Sequence, residues 1–226
     1  MSEVSVQYAV YINLDERDDR RSHMESILSS AGWEYERLSA TRLEESPESA
    51  GLKMIPRLTG HKGVASIWLS HERALNRFLA VAEKGGETGA YILLEDDVKV
   101  LSPTYLQNPL SLPAGLSDDW EIILLSPRFR WKNKANIPPE DEGKYFTTPY
   151  EKETWADLNQ AQEKFIITGA HYVIFKNQGV VSKVLDRMKE RSLYDVDNFY
   201  VSDFRTYGVR LPDVTAGGFG SDHNYE

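Results

Sequence analysis

The sequence contains no cysteine in its 226 residues. Disulfides, thiolate metal sites and cysteine nucleophiles are thereby excluded together. It also lacks a long apolar stretch: no run approaches the roughly 18 residues that a membrane-spanning helix needs. The opening Met1-Ser2-Glu3-Val4-Ser5 has neither the basic nor the apolar segment of a secretory signal. These absences predict a cytoplasmic protein, with peripheral attachment to a membrane left open. Positive charge is in deficit too. The 26 Lys and Arg against 35 Asp and Glu leave a net charge of −9, which disfavours a general nucleic-acid binder, since such a protein needs a basic face. Internal repeats and low-complexity segments are missing. What remains is ordinary: 41% hydrophobic and 27% charged residues, enough to bury a core in one domain spanning residues 1–226.

Against that background one stretch stands out. In Ala90-Tyr91-Ile92-Leu93-Leu94-Glu95-Asp96-Asp97-Val98 a short apolar run meets three consecutive carboxylates. The run predicts a fully buried strand of an α/β sheet, with its acidic end at the carboxyl edge, where open α/β folds bind ligands. Three like charges there repel one another and are costly in a partly dry site. A hard divalent cation resolves both problems. The spacing Glu95-x-Asp97 predicts two side chains on one side of an extended segment. A solvated acidic turn is the alternative.

The rest of the chain alternates strand and helix signals. Val6 to Leu14 predicts a first strand, and Met24, Ile27, Leu28 and Ala31 an amphipathic helix, with Gly32 placed to cap it. Trp33 to Leu38 predicts the second strand of a βαβ opening. Arg17, Arg20 and Arg21 read either as partners of the neighbouring acids on an exposed helix face or as phosphate ligands. Residues 41–60 are polar and irregular, a surface loop free to move. Val64, Ile67, Trp68, His71, Leu75, Phe78, Leu79 and Ala82 trace one face of a long helix. His71 lies on that face, where a lone histidine is ordinarily a core residue.

Trp120 to Leu125 predicts another buried strand, followed by an irregular region over residues 126–160. Within it Arg128-Phe129-Arg130-Trp131-Lys132-Asn133-Lys134 interleaves base and aromatic. That pattern suits stacking on sugars or bases beside phosphate contacts, or a charged loop with two anchoring aromatics. Phe165 to Phe175 reads as a strand interrupted at Thr168-Gly169-Ala170 by a bend, and Val180, Val181, Val184, Leu185 and Met188 as a helix face. Asp195 and Asp197 form a second acidic pair, one of them a candidate helix N-cap. Arg205 to Leu211 predicts a short strand. In the glycine-rich close of the sequence Asp222 or His223 reaches toward a metal, or the terminus frays.

Taken in order, these segments resemble glycosyltransferase family 25, the lipooligosaccharide-galactosyltransferase-like group that includes the collagen galactosyltransferases. The resemblance rests on Tyr11-Ile12-Asn13-Leu14 with Arg17 and Asp19-Arg20, on Gly63 and Ser70-His71, and on Leu94-Glu95-Asp96-Asp97-Val98. Thr168-Gly169-Ala170 with Tyr172 and finally Ser221-Asp222 complete it. Two departures are visible: the family's GEIGC run is Gly63-Val64-Ala65-Ser66-Ile67 here, and its AVDG is Ala40-Thr41-Arg42 without the glycine. The resemblance implies a GT-A-type, Rossmann-like α/β domain with a mostly parallel central sheet flanked by helices. It also implies a UDP-sugar donor, Mn2+ or Mg2+, and inversion at the anomeric carbon of a transferred hexose, galactose or glucose.

Carried over, Glu95, Asp96 and Asp97 correspond to the family's metal-binding acidic motif, with Asp222 and His223 as further candidate ligands and Asp96 also facing the donor. Asn13, Arg17, Arg20, Ser70, His71, Thr168 and Gly169 fall on the donor side. Asp197 is the first choice for the base that takes the acceptor's proton and Asp195 the second. The acceptor hydroxyl stays open between a glycan, a protein and a modified nucleic-acid base. A nucleotidyltransferase with a similar acidic site and a catalytically silent sugar- or nucleotide-binding module are the rival readings.

Overall fold

Runs of apolar residues without a polar interruption become strands covered on both faces. The computed structural model describes residues 2–85, 89–133, 135, 137, 139 and 154–217. β1 (Ser2–Val4) leads into β2 (Val6–Asn13), α1 (Asp18–Leu28) and β3 (Tyr35–Ser39), and β2 and β3 are parallel neighbours with Asn13 opposite Ser39. The βαβ opening is therefore present. The long α2 (Lys62–Gly85) then delivers β4 (Ala90–Glu95) to the other side of β2, again parallel. β5 (Val98–Val100), β6 (Leu110–Leu112), β7 (Ile122–Leu125) and β8 (Arg128–Trp131) follow. The chain continues through β9 (Trp155–Asp157), α3 (Leu158–Ala161), β10 (Phe165–Thr168) and β11 (Tyr172–Phe175). α4 (Gln178–Glu190), α5 (Val196–Asp203), β12 (Thr206–Val209) and β13 (Val214–Ala216) close the described fold.

Seven strands form the central sheet in the order β3-β2-β4-β11-β7-β12-β9. β3, β2, β4, β7 and β12 point one way, while β11 runs antiparallel to β4 and β7, and β9 antiparallel to β12. The class is mixed α/β, with most strands of the sheet in one direction. Three antiparallel ribbons, β1 with β6, β5 with β13 and β8 with β10, are added at its margins.

Because side chains alternate across a strand, each buried strand feeds two cores. Tyr91 and Leu93 of β4, Ile122 and Leu124 of β7, and Val173 and Phe175 of β11 pack with Leu75 and Phe78 of α2, Val184 of α4 and Phe199 of α5. Ile92 and Leu94, Ile123 and Leu125, and Tyr172 and Ile174 pack on the opposite face with Met24 and Leu28 of α1. This two-sided burial is why β4 and β7 carry no polar alternation in the sequence.

Three expectations change. Residues 41–60 are irregular but stitched down: the Thr41 and Leu43 amides donate to Ser70 Oγ and Ser66 Oγ of α2, and Met54 forms a bridge with Leu193. The segment after β7 is not a loop at its start, because Arg128–Trp131 pairs with Phe165–Thr168 as a strand. Lastly, α1 ends at Leu28 with Ser29 as its C-cap. Gly32, at φ +66°, turns the chain toward β3 instead of capping the helix.

Candidate active site

The carboxyl ends of β2, β3 and β4 open into one cleft of about 910 Å3, within the range of small-molecule sites. Ile12, Asn13 and Leu14 come from the end of β2, Ala40 and Thr41 from the end of β3, and Glu95, Asp96 and Asp97 from the end of β4. Lys62, Gly63 and Ser66 of the first turns of α2 face the same space, and Arg42 and Arg128 bring further cations to it.

The acidic triplet does not continue the strand. β4 stops at Glu95, and Asp96-Asp97 form a turn into β5, so the alternation expected of Glu95-x-Asp97 does not apply. Each carboxylate has its own surroundings. Asp96 is buried, with Oδ1 accepting from Arg20 Nη1 and Oδ2 from Asn13 Nδ2, both at 2.8 Å. Each oxygen thus carries one strut of the fold, while Asp96 also forms part of the cleft wall. Breaking such a buried pair costs about 3–5 kcal/mol. Asp97 differs: its Oδ1 is buried with no hydrogen-bond partner among the described residues. Burial holds its carboxyl above the usual range, against the pull of Arg20 and Arg128. Glu95 is partly exposed on the cleft wall, with Oε1 3.5 Å from His71 Nε2. Among the described residues no three His, Asp or Glu side chains converge as a ready-made cation site. Asp222 and His223 lie outside the described residues.

Asn13 and Arg20 line the cleft, but mainly as struts. Asn13 is 1% exposed, and besides Asp96 it serves the Arg17 carbonyl and Arg37 Nε. Arg20 is a buried member of α1 and not a partner on an exposed helix face; that arrangement holds for Arg21 and Glu25, four residues apart. Arg17 forms a two-pronged pair with Asp19 and is not part of the cleft wall. Ser70 Oγ donates to the Ser66 carbonyl while receiving the Thr41 amide, so its hydroxyl fastens the 41–60 segment to α2.

Behind Glu95 lies a second polar group. Asp197, in the first turn of α5, accepts from the Gly169 amide at 2.8 Å and the Ala170 amide at 3.2 Å. Burial, and next the charge of Glu95, push its pKa up to about 6, even though the two amides and His71 favour the ionised form. Gly169 sits at φ +100° in the bend between β10 and β11, the interruption expected there, and Thr168 is the last residue of β10. Asp197 does not line the cleft itself, nor do Thr168 and Gly169. Asp195 occupies the N-cap position of α5 without a capping bond from its side chain, and pairs with Arg57 at 3.1 Å on the surface. His71 is fully buried and receives or donates a 2.9 Å bond between Nδ1 and Tyr200 Oη, and burial draws its pKa down to about 4.

Sequence reasoning missed several contributors. His171 is 2% exposed, its pKa drawn down to about 4 by burial and then by Arg128. Lys62, Arg42 and Ser66 gave no signal of their own, because they reach the cleft only through the path of residues 41–66. Arg128 was visible only as part of a basic run.

No protein-family model matches the chain, and no curated protein matches it either. The resemblance to glycosyltransferase family 25 therefore stands on its motifs alone. Among solved structures the chain is similar to a glycosyltransferase involved in the glycosylation of the major capsid of PBCV-1, at 10% identity and a TM-score of 0.46, over 91% of this chain and 81% of that one.

Proposed function

We propose that this protein is a metal-dependent, inverting glycosyltransferase that moves a hexose from a UDP-sugar to an acceptor hydroxyl. The observation that carries the reading is Asp97, whose buried oxygen has no hydrogen-bond partner among the described residues, in a cleft that also presents Lys62, Arg42 and Arg128. A partnerless buried carboxylate oxygen is costly unless a ligand satisfies it, and the cations opposite suit a diphosphate. Two carboxylates suffice for the metal ion, because a hard divalent cation is commonly held by one or two carboxylates plus the phosphates of the substrate.

Asp97, with Glu95 beside it, would hold that ion, which when bound would neutralise charge developing on the departing diphosphate. Arg42, Lys62 and Arg128 orient the diphosphate. For Asp197 to take the proton of the acceptor hydroxyl as its oxygen forms the new bond to the anomeric carbon, the acceptor must reach past Glu95 to this half-buried carboxylate, which does not itself line the cleft. The bond from that carbon to the diphosphate oxygen breaks in the same step, its electron pair leaving with UDP. The raised pKa of Asp197 makes it a stronger base than an ordinary carboxylate while leaving it ionised at neutral pH.

A panel of UDP-sugars assayed with and without Mn2+ tests the reading. Wild type releases UDP in the presence of the ion, Asp97→Asn loses both turnover and the response to Mn2+, and Asp197→Asn loses turnover while still binding UDP. Full activity of Asp97→Asn in metal-free buffer defeats the proposal. A protein that leaves every UDP-sugar intact but releases pyrophosphate from a nucleoside triphosphate and a sugar phosphate replaces the proposal with nucleotidyl transfer.

A further inference from the structure

The cleft wall and the polar group behind it contain two side chains that the proposed reaction does not use. His71, on α2, is among the residues lining the cleft, although its side chain is closed off from solvent. Its Nδ1 lies 2.9 Å from Tyr200 Oη, and its Nε2 has no hydrogen-bond partner among the described residues but faces Glu95 Oε1 at 3.5 Å. Tyr200 is itself fully enclosed on α5, its ring packed edge-on against Phe175 at 5.6 Å and beside Phe199 at 5.7 Å. The phenol therefore cannot swing away without breaking the packing of three rings.

Two proton arrangements are available to a neutral imidazole in this position. With the proton on Nδ1, the ring donates to Tyr200 Oη, the phenolic hydrogen is left without its imidazole acceptor, and the lone pair of Nε2 points at the Glu95 carboxylate. With the proton on Nε2, the phenol donates to Nδ1 and the N–H points at the carboxylate. The second arrangement uses both donors and replaces a repulsion by an attraction in a dry setting, where such differences are amplified. An orienting partner on one ring nitrogen is a general means of fixing what the other nitrogen presents.

We propose that Tyr200 is a positioning residue: its hydroxyl locks His71 in the Nε2–H form, and that N–H tethers Glu95 against the cleft wall. The tether keeps the Glu95 carboxylate aimed at the site and fixes its distance from Asp197, which responds to the charge of Glu95. Its value to turnover rests on the proposed function, but the proton arrangement itself does not.

Protein labelled with 15N-histidine tests this, with the His71 ring signals assigned by their loss in His71→Gln. Wild type shows the Nε2–H form near neutral pH. Tyr200→Phe, which keeps the ring and removes only the hydroxyl, populates the Nδ1–H form. It lowers kcat by about tenfold, the lower end of what loss of an orienting partner produces, and leaves KM for the UDP-sugar within twofold. An Nδ1–H wild type overturns the proposal without any variant. So does a Tyr200→Phe protein whose tautomer, or whose kcat, is unchanged. An Nε2–H wild type that transfers no sugar overturns the functional reading and leaves the proton arrangement standing.

Discussion

Gly169 is held at φ +100°, and a Cβ built there would lie 2.9 Å from both Cε1 and Nδ1 of His171. That ring is buried and cannot withdraw. Alanine at this position therefore meets an unfavourable backbone conformation and a clash at once, costing about 1–3 kcal/mol for the backbone alone. The loss reaches the site, because the Gly169 and Ala170 amides are what hold Asp197. Gly169→Ala is expected to lower the denaturation midpoint and kcat together, whereas Gly51→Ala, at φ +75° with open space around it, lowers only the midpoint. His171 supports a second prediction. Its pKa falls from 6.5 in the unfolded chain to about 4 in the fold, so between those values the unfolded state binds a proton that the native state refuses. The contribution of His171 is present above pH 6.5 and is lost as pH drops toward 4. The stability difference between wild type and His171→Gln should shift by about 1.4 kcal/mol per pH unit across that window, in favour of the glutamine variant at the acid end. A difference constant from pH 7 to pH 4.5 would show that the ring is not held neutral.

β8 is the element whose sequence pattern and structural role part company. The run from Arg128 to Lys134 reads either as a stacking surface for sugars or bases or as a charged loop with two anchoring aromatics, and the aromatics do anchor, but from a strand: Phe129 is 1% exposed and packs edge-on against Phe165 at 5.8 Å, while Trp131 lies 4.3 Å from the same ring. Base-aromatic interleaving has period two, and so does a strand with one face in a core. Its partner β10 begins 34 positions later, which no local pattern reveals. The same limit explains Arg20: its neighbours suit a surface partner or a phosphate ligand, and only the distant Asp96 makes it a buried strut. What local pattern did convey was the two-sided strands, the helix face bearing His71, the bend at Gly169 and the placing of Asp97 at a strand tip. These are all set by residues within one element. The two faces of β8 are expected to separate cleanly on mutation. Phe129→Ala should cost about 3–5 kcal/mol in urea unfolding with nucleotide affinity intact once folded. Arg128→Ala, whose side chain is exposed in the cleft apart from a bond to the Ala216 carbonyl, should stay within about 0.5 kcal/mol of wild type and weaken UDP binding.

At the scale of the whole molecule, the two apolar clusters share the strands of one sheet, so neither can open without exposing the back of the other. Heating monitored by tryptophan fluorescence and by far-ultraviolet circular dichroism should then give one coincident transition, as a single domain requires; two resolved steps would divide the chain. Ligand linkage takes the test to the site. A chain of net charge −9 repels a nucleoside diphosphate at long range, and Asp97, Glu95 and Glu16 add negative charge within the cleft itself. The cations there offset only part of this, since Arg42 is paired with Glu16 and Lys62 donates to the Glu44 carbonyl. On the proposed function, a divalent ion on Asp97 would convert the acidic side of the cleft from repulsive to attractive, so ion and nucleotide should bind cooperatively. At a hundredfold excess over its dissociation constant a ligand stabilises the native state by about 2.7 kcal/mol, roughly 5–10 °C in Tm for a chain of this size. UDP with Mn2+ is expected to produce a shift of that order, UDP alone or Mn2+ alone much less than half of it, and Asp97→Asn should remove the cooperative part while keeping the basal Tm or raising it, because the substitution relieves a buried carboxylate. An equal shift from UDP with and without the ion would mean that Lys62, Arg42 and Arg128 suffice for the diphosphate and that the unsatisfied oxygen of Asp97 serves some other ligand.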